Sequence, residues 1–303
     1  MKTYIKIFKS IAFIFGAVTI LFPIEANARK YAVKAYGDIG LIKPLSITTG
    51  MPGMTAKSSA YSFGADFGYT FWQKGANSLE ANIGLGYTVA SATFDVAALS
   101  YDYAAPASAD EDGNVYRRFV ELSAMSQKTN FGYLNIPIYL QYQYRINKWL
   151  GVHADLGFGL GFKCSGSTGG TSGKATSYGV YPEYDDLEIK ADYLNDFGDR
   201  ELSDAKKGEA SYNGFSANVM CGAGFEFFVA EPVSIDLGIR YKAGLTQVFN
   251  GQYDVAKNSE FNAESAPVTY TVGEGTVVKS FADYNTKSRL NPLSLHIGVT
   301  VRF

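Results

Sequence analysis

Few residues in this 303-residue sequence have the types and spacing that catalysis needs. The best candidates are Ser294 and His296, two positions apart in the final segment SLHIGVTVRF. A histidine beside a serine can act as general base for that nucleophile, as in hydrolases and acyltransferases. Any two polar residues at this spacing also share one face of a strand, and this structural interpretation is favoured. The other histidine is His153, and spacing identifies no acidic partner for either, so no catalytic residue is assigned.

Metal and disulfide chemistry has weak support in the sequence. The segment 192–199 (DYLNDFGD) supplies oxygen ligands for Ca²⁺ but lacks the spacing of an EF-hand, so a solvated acidic stretch is the preferred interpretation. Cys164 and Cys221 fall on neighbouring predicted strands, several residues out of register. That offset exceeds the reach of a disulfide, so both are expected to be unpaired. We expect no metal, no cofactor and no enzymatic activity.

The elements that position these residues are β-strands, because apolar and polar residues alternate over long stretches. In YSFGADFGYTFW, for example, Tyr61, Phe63 and Phe67 share one face, and Asp66 lies on the other. These alternating segments are longer than the strands of soluble proteins, which usually have about 5–6 residues. Pro137, which lacks a ladder donor, predicts a bulge in its strand. The eight predicted strands are about 30–40, 61–72, 78–89, 134–144, 149–162, 215–229, 233–245 and 291–303.

The connections between these strands alternate between long and short. This pattern predicts an all-β fold, an eight-stranded antiparallel up-and-down transmembrane β-barrel with four long extracellular loops. A soluble periplasmic sandwich is the alternative, although it gives no reason for the alternation. Turn residues inside two of the loops, at 108–118 and 270–278, predict hairpins. The long loops are 41–60, 92–130, 164–212 and 249–290, and the short turns are 73–78, 145–148 and 230–232.

If the apolar faces meet lipid, the polar faces line the lumen. Aromatic residues cluster near both strand ends, as in the two belts of membrane barrels. The interior of an eight-stranded barrel is only wide enough for its own side chains, so a neutralising polar network is expected there and open diffusion is not. The predicted lumen residues are Lys34, Asp38, Asp66, Glu80, His153, Asp155, Glu226, Asp236, Arg240, Lys242, His296 and Arg302.

The N-terminus has the pattern of a secretory signal. Basic residues precede the apolar run Ile11–Phe22, and ANA ends at Ala28, which predicts cleavage there. The predicted organisation is a signal peptide at 1–28 and an outer-membrane barrel domain at 29–303. Removal of 1–28 leaves 24 basic and 28 acidic side chains, a net charge of −4. This charge does not favour binding to nucleic acid.

One segment and the last strand resemble a known family. Leu134, Ile136 and Pro137 in YLNIPIYLQYQY, followed by a tight turn and GVHADLGFGLGF, resemble the outer-membrane β-barrel domain family of Bacteroidetes, the PorT-like group of small barrels similar to OmpA and OmpX. The ending VTVRF resembles the C-terminal signature that the barrel-assembly machinery reads, with Phe303 as the assembly signal. The resemblance implies an outer-membrane location more than any reaction.

Three function hypotheses follow from these patterns. The leading one is a monomeric scaffold in outer-membrane lipid whose surface loops bind an extracellular ligand or protein. The second is a narrow porin-like channel for small solutes. A secretion-system component and a lipid-acting enzyme are the remaining alternatives.

Overall fold

The computed structural model is built almost entirely of antiparallel β-strands. It describes residues 30–42, 44–48, 53–110, 112–190, 197–201, 206–207, 211–249, 268–271, 275–278, 281–283 and 287–303. The predicted signal peptide at 1–28 lies outside the described residues. Within the described residues, no helix is both long and apolar enough to cross a membrane.

Eight long strands form the main sheet, and shorter elements flank it. The long strands are β1 (Tyr31–Ile42), β2 (Met54–Lys74), β3 (Asn77–Ala109), β4 (Val115–Arg145), β5 (Leu150–Tyr181), β6 (Phe215–Ala230), β7 (Val233–Gly244) and β8 (Leu293–Arg302). The short strands, named here by their residues, are Leu45–Thr48, Leu187–Ile189, Gly198–Glu201, Lys206–Lys207, Val268–Thr271, Gly275–Val278 and Lys287–Leu290. Single 3₁₀ turns occupy Pro182–Tyr184 and Phe281–Asp283.

The eight long strands close into a ring. Each strand pairs antiparallel with the next one along the chain, and β1 pairs with β8 so that Ala32 lies opposite Arg302 and Asp38 opposite His296. Closure pairs the first and last strands and therefore removes the open sheet edges. The predicted eight-stranded antiparallel barrel is confirmed.

The two faces of the barrel wall differ in polarity, as the alternation predicts. On β1, Ile39 is 55% exposed whereas its neighbour Asp38 is 1% exposed. The outer face carries large exposed apolar side chains on every long strand, such as Ile83, Leu140 and Phe158. Outward apolar and inward polar residues are the arrangement of a strand that faces lipid on one side.

Three neighbouring strands are much longer than a membrane requires. β3, β4 and β5 have 33, 31 and 32 residues, whereas a crossing needs about 9–11. The segment 92–130, predicted as a long extracellular loop, is mostly extended strand: β3 ends at Ala109 and β4 begins at Val115, so the two strands are joined inside the hairpin predicted at 108–118. The segments 41–60 and 164–212 are likewise partly strand, because β2 begins at Met54 and β5 ends at Tyr181.

Most of the loop predicted at 249–290 lies outside the described residues. Its described part contains a hairpin, in which Val268–Thr271 pairs antiparallel with Gly275–Val278. The turn residues in 270–278 predict this hairpin. The short strand Lys287–Leu290, which follows, pairs with Leu45–Thr48 and continues the barrel wall beyond β1 and β8.

The predicted bulge at Pro137 is absent. Pro137 lies opposite Gly159 in a register with β5 that runs unbroken from Leu134 to Arg145. On its other side, the pairing with β3 passes from Ile138 to Asn135 without a change of register. The sheet thus accommodates the missing proline donor with a local gap in the ladder and no extra residue.

Candidate functional site

The structure places the predicted lumen residues together inside the barrel. Within the described part of the chain, this set consists of six carboxylates, four permanent cations and two histidines, a formal charge of −2 when both histidines are neutral. Such a set is stable away from water only if its members pair with one another. The carboxylates are Asp38, Asp66, Glu80, Asp155, Glu226 and Asp236; the cations are Lys34, Arg240, Lys242 and Arg302; the histidines are His153 and His296.

Asp38 is the centre of the layer nearest the extracellular end. One oxygen, Oδ2, accepts a hydrogen bond from Lys242 Nζ at 2.9 Å. The other, Oδ1, lies 2.6 Å from His296 Nδ1 and 4.0 Å from Arg240 Nη1. The acidic partner of His296, which spacing does not reveal, is thus Asp38 on the strand that closes the ring.

Arg240 connects this layer to the opposite wall. Its Nε donates to Asp155 Oδ2 at 3.1 Å. Its guanidinium also lies 5.2 Å from the ring centre of Tyr139 and 5.6 Å from that of Tyr36, within cation–π range. Tyr139 in turn donates its hydroxyl proton to Asp66 Oδ2 at 2.7 Å. The cation therefore spans the lumen from one carboxylate to two aromatic rings.

Lys34 holds the middle layer together. Its ammonium group pairs with Glu80 and donates to Gln141 Oε1. Gln141 Nε2 lies 2.5 Å from His153 Nδ1, and the Nε2 atom of that histidine is buried without a hydrogen-bond partner among the described residues. On the neighbouring wall, Thr300 donates to Asp236 Oδ2 at 2.7 Å.

Arg302 and Glu226 close the lumen toward the turn end. Arg302 Nη1 lies 2.5 Å from Glu226 Oε1 and 3.1 Å from Ser234 Oγ, and Gln143 Nε2 donates to the other carboxylate oxygen. Outside this layer lies a vestibule of about 670 Å³ that is open to solvent. Its walls include Arg145 at the end of β4 and Trp149 in the β4–β5 turn.

An aromatic cap, defined as Phe94, Phe131, Tyr212, Phe249 and Phe281, fills the extracellular end of the barrel. Phe249 packs against three of the others, with ring centres 5.9 Å from Phe94, 5.8 Å from Phe131 and 5.5 Å from Tyr212. Phe281 is fully buried, and its backbone N–H donates to the buried side chain of Gln127 at 2.7 Å. The cap covers the charged layers from outside.

Sequence reasoning missed this cap. Ala92, Phe94 and Val96 continue the inward face of β3, and Phe131 occupies the same face of β4. The alternation of these residues is the sequence signal that could have indicated buried aromatic side chains at this end of the barrel. Phe249 and Phe281 lie in a segment without strand periodicity, and only the tertiary structure brings them into the barrel.

The pair Ser294 and His296 does not form an accessible catalytic site. Both side chains face the lumen, Ser294 is 2% exposed, and the imidazole is committed to Asp38. The aromatic cap and the charged layers enclose them from either side. Among the described residues, the hydroxyl group of Ser294 is therefore enclosed by protein.

The described residues contain no group of three or more His, Cys, Asp or Glu side chains that could hold a metal ion. Most of the candidate Ca²⁺ segment 192–199 lies outside them. Cys164 and Cys221 are free and exposed, and β5 and β6 pair with Cys221 opposite Leu156. The prediction of unpaired cysteines is confirmed.

A closed ring of eight antiparallel strands, with a charged, filled interior and an apolar outer face, defines a transmembrane β-barrel of the bacterial outer membrane. The chain belongs to the outer membrane protein beta-barrel domain family, whose pattern matches residues 39–250. It is therefore embedded in outer-membrane lipid.

Several solved barrels are similar to the chain at low identity. OprG from Pseudomonas aeruginosa is 14% identical with a TM-score of 0.39, covering 91% of this chain and 96% of its own. Neisserial surface protein A (NspA) is 13% identical with a TM-score of 0.32, covering 90% and 97%. The outer membrane protease OmpT from Escherichia coli is 9% identical with a TM-score of 0.30, covering 90% and 94%. No curated protein sequence matches the chain.

Proposed function

We propose that this chain is a non-enzymatic, membrane-anchored scaffold whose extracellular sheet binds a partner at the cell surface. The observation that carries the proposal is the continuation of β3, β4 and β5 far beyond the length needed to cross a membrane. The barrel itself is filled with ion pairs and capped by aromatic side chains. The part of the molecule that is free to meet another molecule is therefore the projecting sheet.

The end of this sheet, here called the tip, has its own small core. Tyr116, Tyr181 and Phe197 bury one another, with ring centres of Tyr116 and Phe197 5.2 Å apart. This core holds the end of the sheet in one shape, so a partner would meet a preformed surface. Tyr184 and Leu187 are exposed beside it.

The opposite face of the tip carries an aromatic ladder, in which Phe119 is half-buried and Tyr178 is buried. Cations flank the ladder together with the carboxylates of Glu121 and Glu188. Phe119 and Tyr178 stack with ring centres 5.4 Å apart and planes 11° apart. Arg117 lies 5.3 Å from the ring centre of Phe119, and Lys190 lies 5.1 Å from that of Tyr178. Phe119 and the exposed Arg117 are the groups of this ladder that a partner would touch. An aromatic ring beside a cation suits extracellular proteins and sugars, because both offer apolar faces and hydrogen-bond acceptors.

Finer points of the proposal rest on sequence. The motif Leu134, Ile136 and Pro137 favours the PorT-like group and thus keeps a secretion role among the hypotheses. Phe303 serves as the signal for the barrel-assembly machinery, and a signal peptide at 1–28 directs export. The working form is a monomer.

The test compares two matched double variants displayed on intact cells. Arg117→Ala with Phe119→Ala removes the ladder from the tip, and Lys148→Ala with Trp149→Ala removes a cation and a ring from the turn end. Arrays of extracellular proteins and polysaccharides report binding, and heat-modifiable gel migration reports folded protein in the membrane. We expect the first variant to lose binding at least about tenfold, the loss of one good cation–π or stacking contact. Equal binding by the two variants would contradict the proposal.

A further inference from the structure

The vestibule at the turn end of the barrel has the size of a binding site. Its volume of about 670 Å³ lies within the range of about 300–1,000 Å³ that is common for ligand pockets. The short turns of an outer-membrane barrel lie on the periplasmic side of the membrane. The vestibule therefore opens to the periplasm, on the opposite side of the membrane from the tip.

The walls of the vestibule continue the inward faces of the strands. On β4, Arg145 comes two positions after the lumen residue Gln143. On β6, Phe228 comes two positions after the lumen residue Glu226. Because alternate residues of a strand share one face, these side chains lie toward the barrel axis. They are therefore placed to meet a soluble ligand on the axis, and a lipid that packs on the outer wall lies on the other face.

The guanidinium group of Arg145 is held in one orientation at this mouth. It lies 4.3 Å from the ring centre of Phe228, and that ring packs over Gly151, where a Cβ would lie only 3.2 Å from it. Arg145 Nε donates to the carbonyl oxygen of Asn147 at 3.3 Å, and Nη2 donates to that of Lys148 at 3.0 Å. A guanidinium group has five N–H donors, so among the described residues the Nη1 group is left for a ligand.

The vestibule carries more positive than negative charge. Among the described residues that line it, the charged ones are Arg145, Lys148, Arg302 and Glu231. Arg302 is neutralised by Glu226, which lies deeper in the lumen. Arg145 and Lys148 are exposed at the mouth. Charge complementarity therefore favours an anionic ligand.

The other side chains of the walls suit a peptide better than an inorganic anion. Trp149 offers an apolar ring that is 54% exposed, and Gln73 offers an exposed side-chain amide. A side-chain amide both donates and accepts hydrogen bonds, as the backbone of a peptide does, whereas the oxygens of a phosphate group act mainly as acceptors. The planar guanidinium group in turn matches a carboxylate, because the two can form parallel hydrogen bonds.

We propose that the vestibule binds an acidic peptide of the periplasm, whose carboxylate group is held by Arg145 and Lys148. Arg145 contributes charge-assisted hydrogen bonds, Lys148 contributes a nearby charge, and Trp149 covers an apolar part of the peptide. Such a site would connect the barrel to a component beneath the membrane, whereas the tip meets a partner above it. The proposal rests on the outer-membrane location and is independent of what the tip binds.

The test uses the full mature chain folded in micelles of a zwitterionic detergent, and isothermal titration calorimetry measures binding. The probe is a synthetic acetylated tetrapeptide, AEAA, with a free C-terminus. Its neutral counterpart, AQAA with an amidated C-terminus, and glycerol phosphate, which carries the anionic group of a lipid headgroup, are separate probes. The test variants are Arg145→Gln and Lys148→Gln. The control, Lys74→Gln, removes an exposed cation at the same end, outside the walls of the vestibule.

We expect the wild type and the control variant to bind AEAA equally, and Arg145→Gln to bind it at least about tenfold more weakly, the loss of one charge-assisted hydrogen bond. Lys148→Gln leaves the contacts of Arg145 in place and should bind about threefold more weakly. Heat-modifiable gel migration verifies that each variant is folded, and Lys148→Gln decides the test if Arg145→Gln does not fold.

Four results would overturn the proposal. They are the absence of AEAA binding to the wild type, undiminished binding by the folded test variants, an equal loss in the control, and equal binding of the neutral peptide. Displacement of AEAA by glycerol phosphate at equal concentration would show a general anion site and would also overturn it.

Discussion

At the residue scale, Asp38 carries the largest share of the buried charge pairing. Its carboxylate faces Lys242, His296 and Arg240 together, on strands β7 and β8. Removal of one partner from a buried charge pair leaves the other charge uncompensated. This lowers the free energy of unfolding more than replacement of both partners by apolar residues does. The charged interior is therefore stable because its positive and negative side chains pair with one another. A substitution that neutralises one of these side chains tests this pairing.

The first prediction concerns Asp38→Asn, which keeps the shape of the side chain and removes its charge. We expect a loss of about 3–5 kcal/mol in the free energy of unfolding, because Lys242 and Arg240 would face a neutral amide. The urea midpoint of unfolding in lipid vesicles, followed by heat-modifiable gel migration, measures the change. Asp199→Asn is the matched control, since Asp199 pairs with Lys174 at 2.5 Å in an exposed position and such pairs contribute little. An equal midpoint shift in both variants would refute the argument.

The sequence predicts which residues face the lumen but not how they pair. Alternation alone is enough to assign Asp38, His153 and His296 to the polar face. The partnership of Asp38 with His296 depends on the register between the first and last strands, which are 258 positions apart at this pair. No local pattern encodes that register, so the pairing emerges only when the ring closes.

At the element scale, the hairpin between β3 and β4 ends in a turn organised by one carboxylate. Asp110 Oδ1 accepts hydrogen bonds from the backbone N–H groups of Asp112 at 3.0 Å and Asn114 at 2.8 Å. The Asn114 side chain donates to both carboxylate oxygens. The hydrogen bond from the Asn114 side chain is the main cause that lowers the pKa of Asp110, and the backbone bonds add to it.

The second prediction follows from the sign of that shift. Because the folded pKa of Asp110 lies below its ordinary value of about 3.9, its contribution is complete above that pH and is lost as the pH falls through the folded pKa. Protection factors from hydrogen exchange at the Asp112 and Asn114 amides should therefore fall in the wild type below about pH 4. Asp110→Asn, which accepts a hydrogen bond without titrating, should show no such fall. Identical profiles for the two proteins would contradict this role.

The length of the strands shows the limit of local pattern reading. Within the membrane, large apolar residues alternate with polar ones and the strand is easily recognised. Beyond the membrane, small residues such as Ala90 and Ala92 weaken this alternation. The sequence of the segment therefore predicts a loop. The inward face is nevertheless continuous through Phe94 and Val96, which the aromatic cap buries. Tertiary packing therefore extends the strands where amphipathic contrast is weak.

At the scale of the whole molecule, the distribution of side chains separates anchoring from recognition. Charge balance and aromatic packing fill the inside, lipid-facing residues surround the middle, and the longest strands reach outward. The predicted loop segment 164–212 at the extracellular end has ten acidic and five basic residues. This arrangement supports the proposed role of a fixed anchor that presents a surface.

The third prediction tests that distinction directly. We expect purified wild-type protein in planar lipid bilayers to show no stepwise conductance, because the Arg302–Glu226 layer, the Asp38 layer and the aromatic cap lie in series across the lumen. Heat-modifiable migration of the same preparation verifies that the barrel is folded and inserted.

A single variant distinguishes a lumen blocked by its ion pairs from a lumen blocked only by the aromatic cap. Phe249→Ala removes the ring at the centre of the aromatic cap, at a cost of about 3–5 kcal/mol in stability, and leaves the charged layers unchanged. If the lumen is filled, this variant stays closed, because the ion pairs still bridge the walls. If it conducts while remaining folded, the cap alone is the barrier, and the protein is a gated channel whose outer sheet controls access.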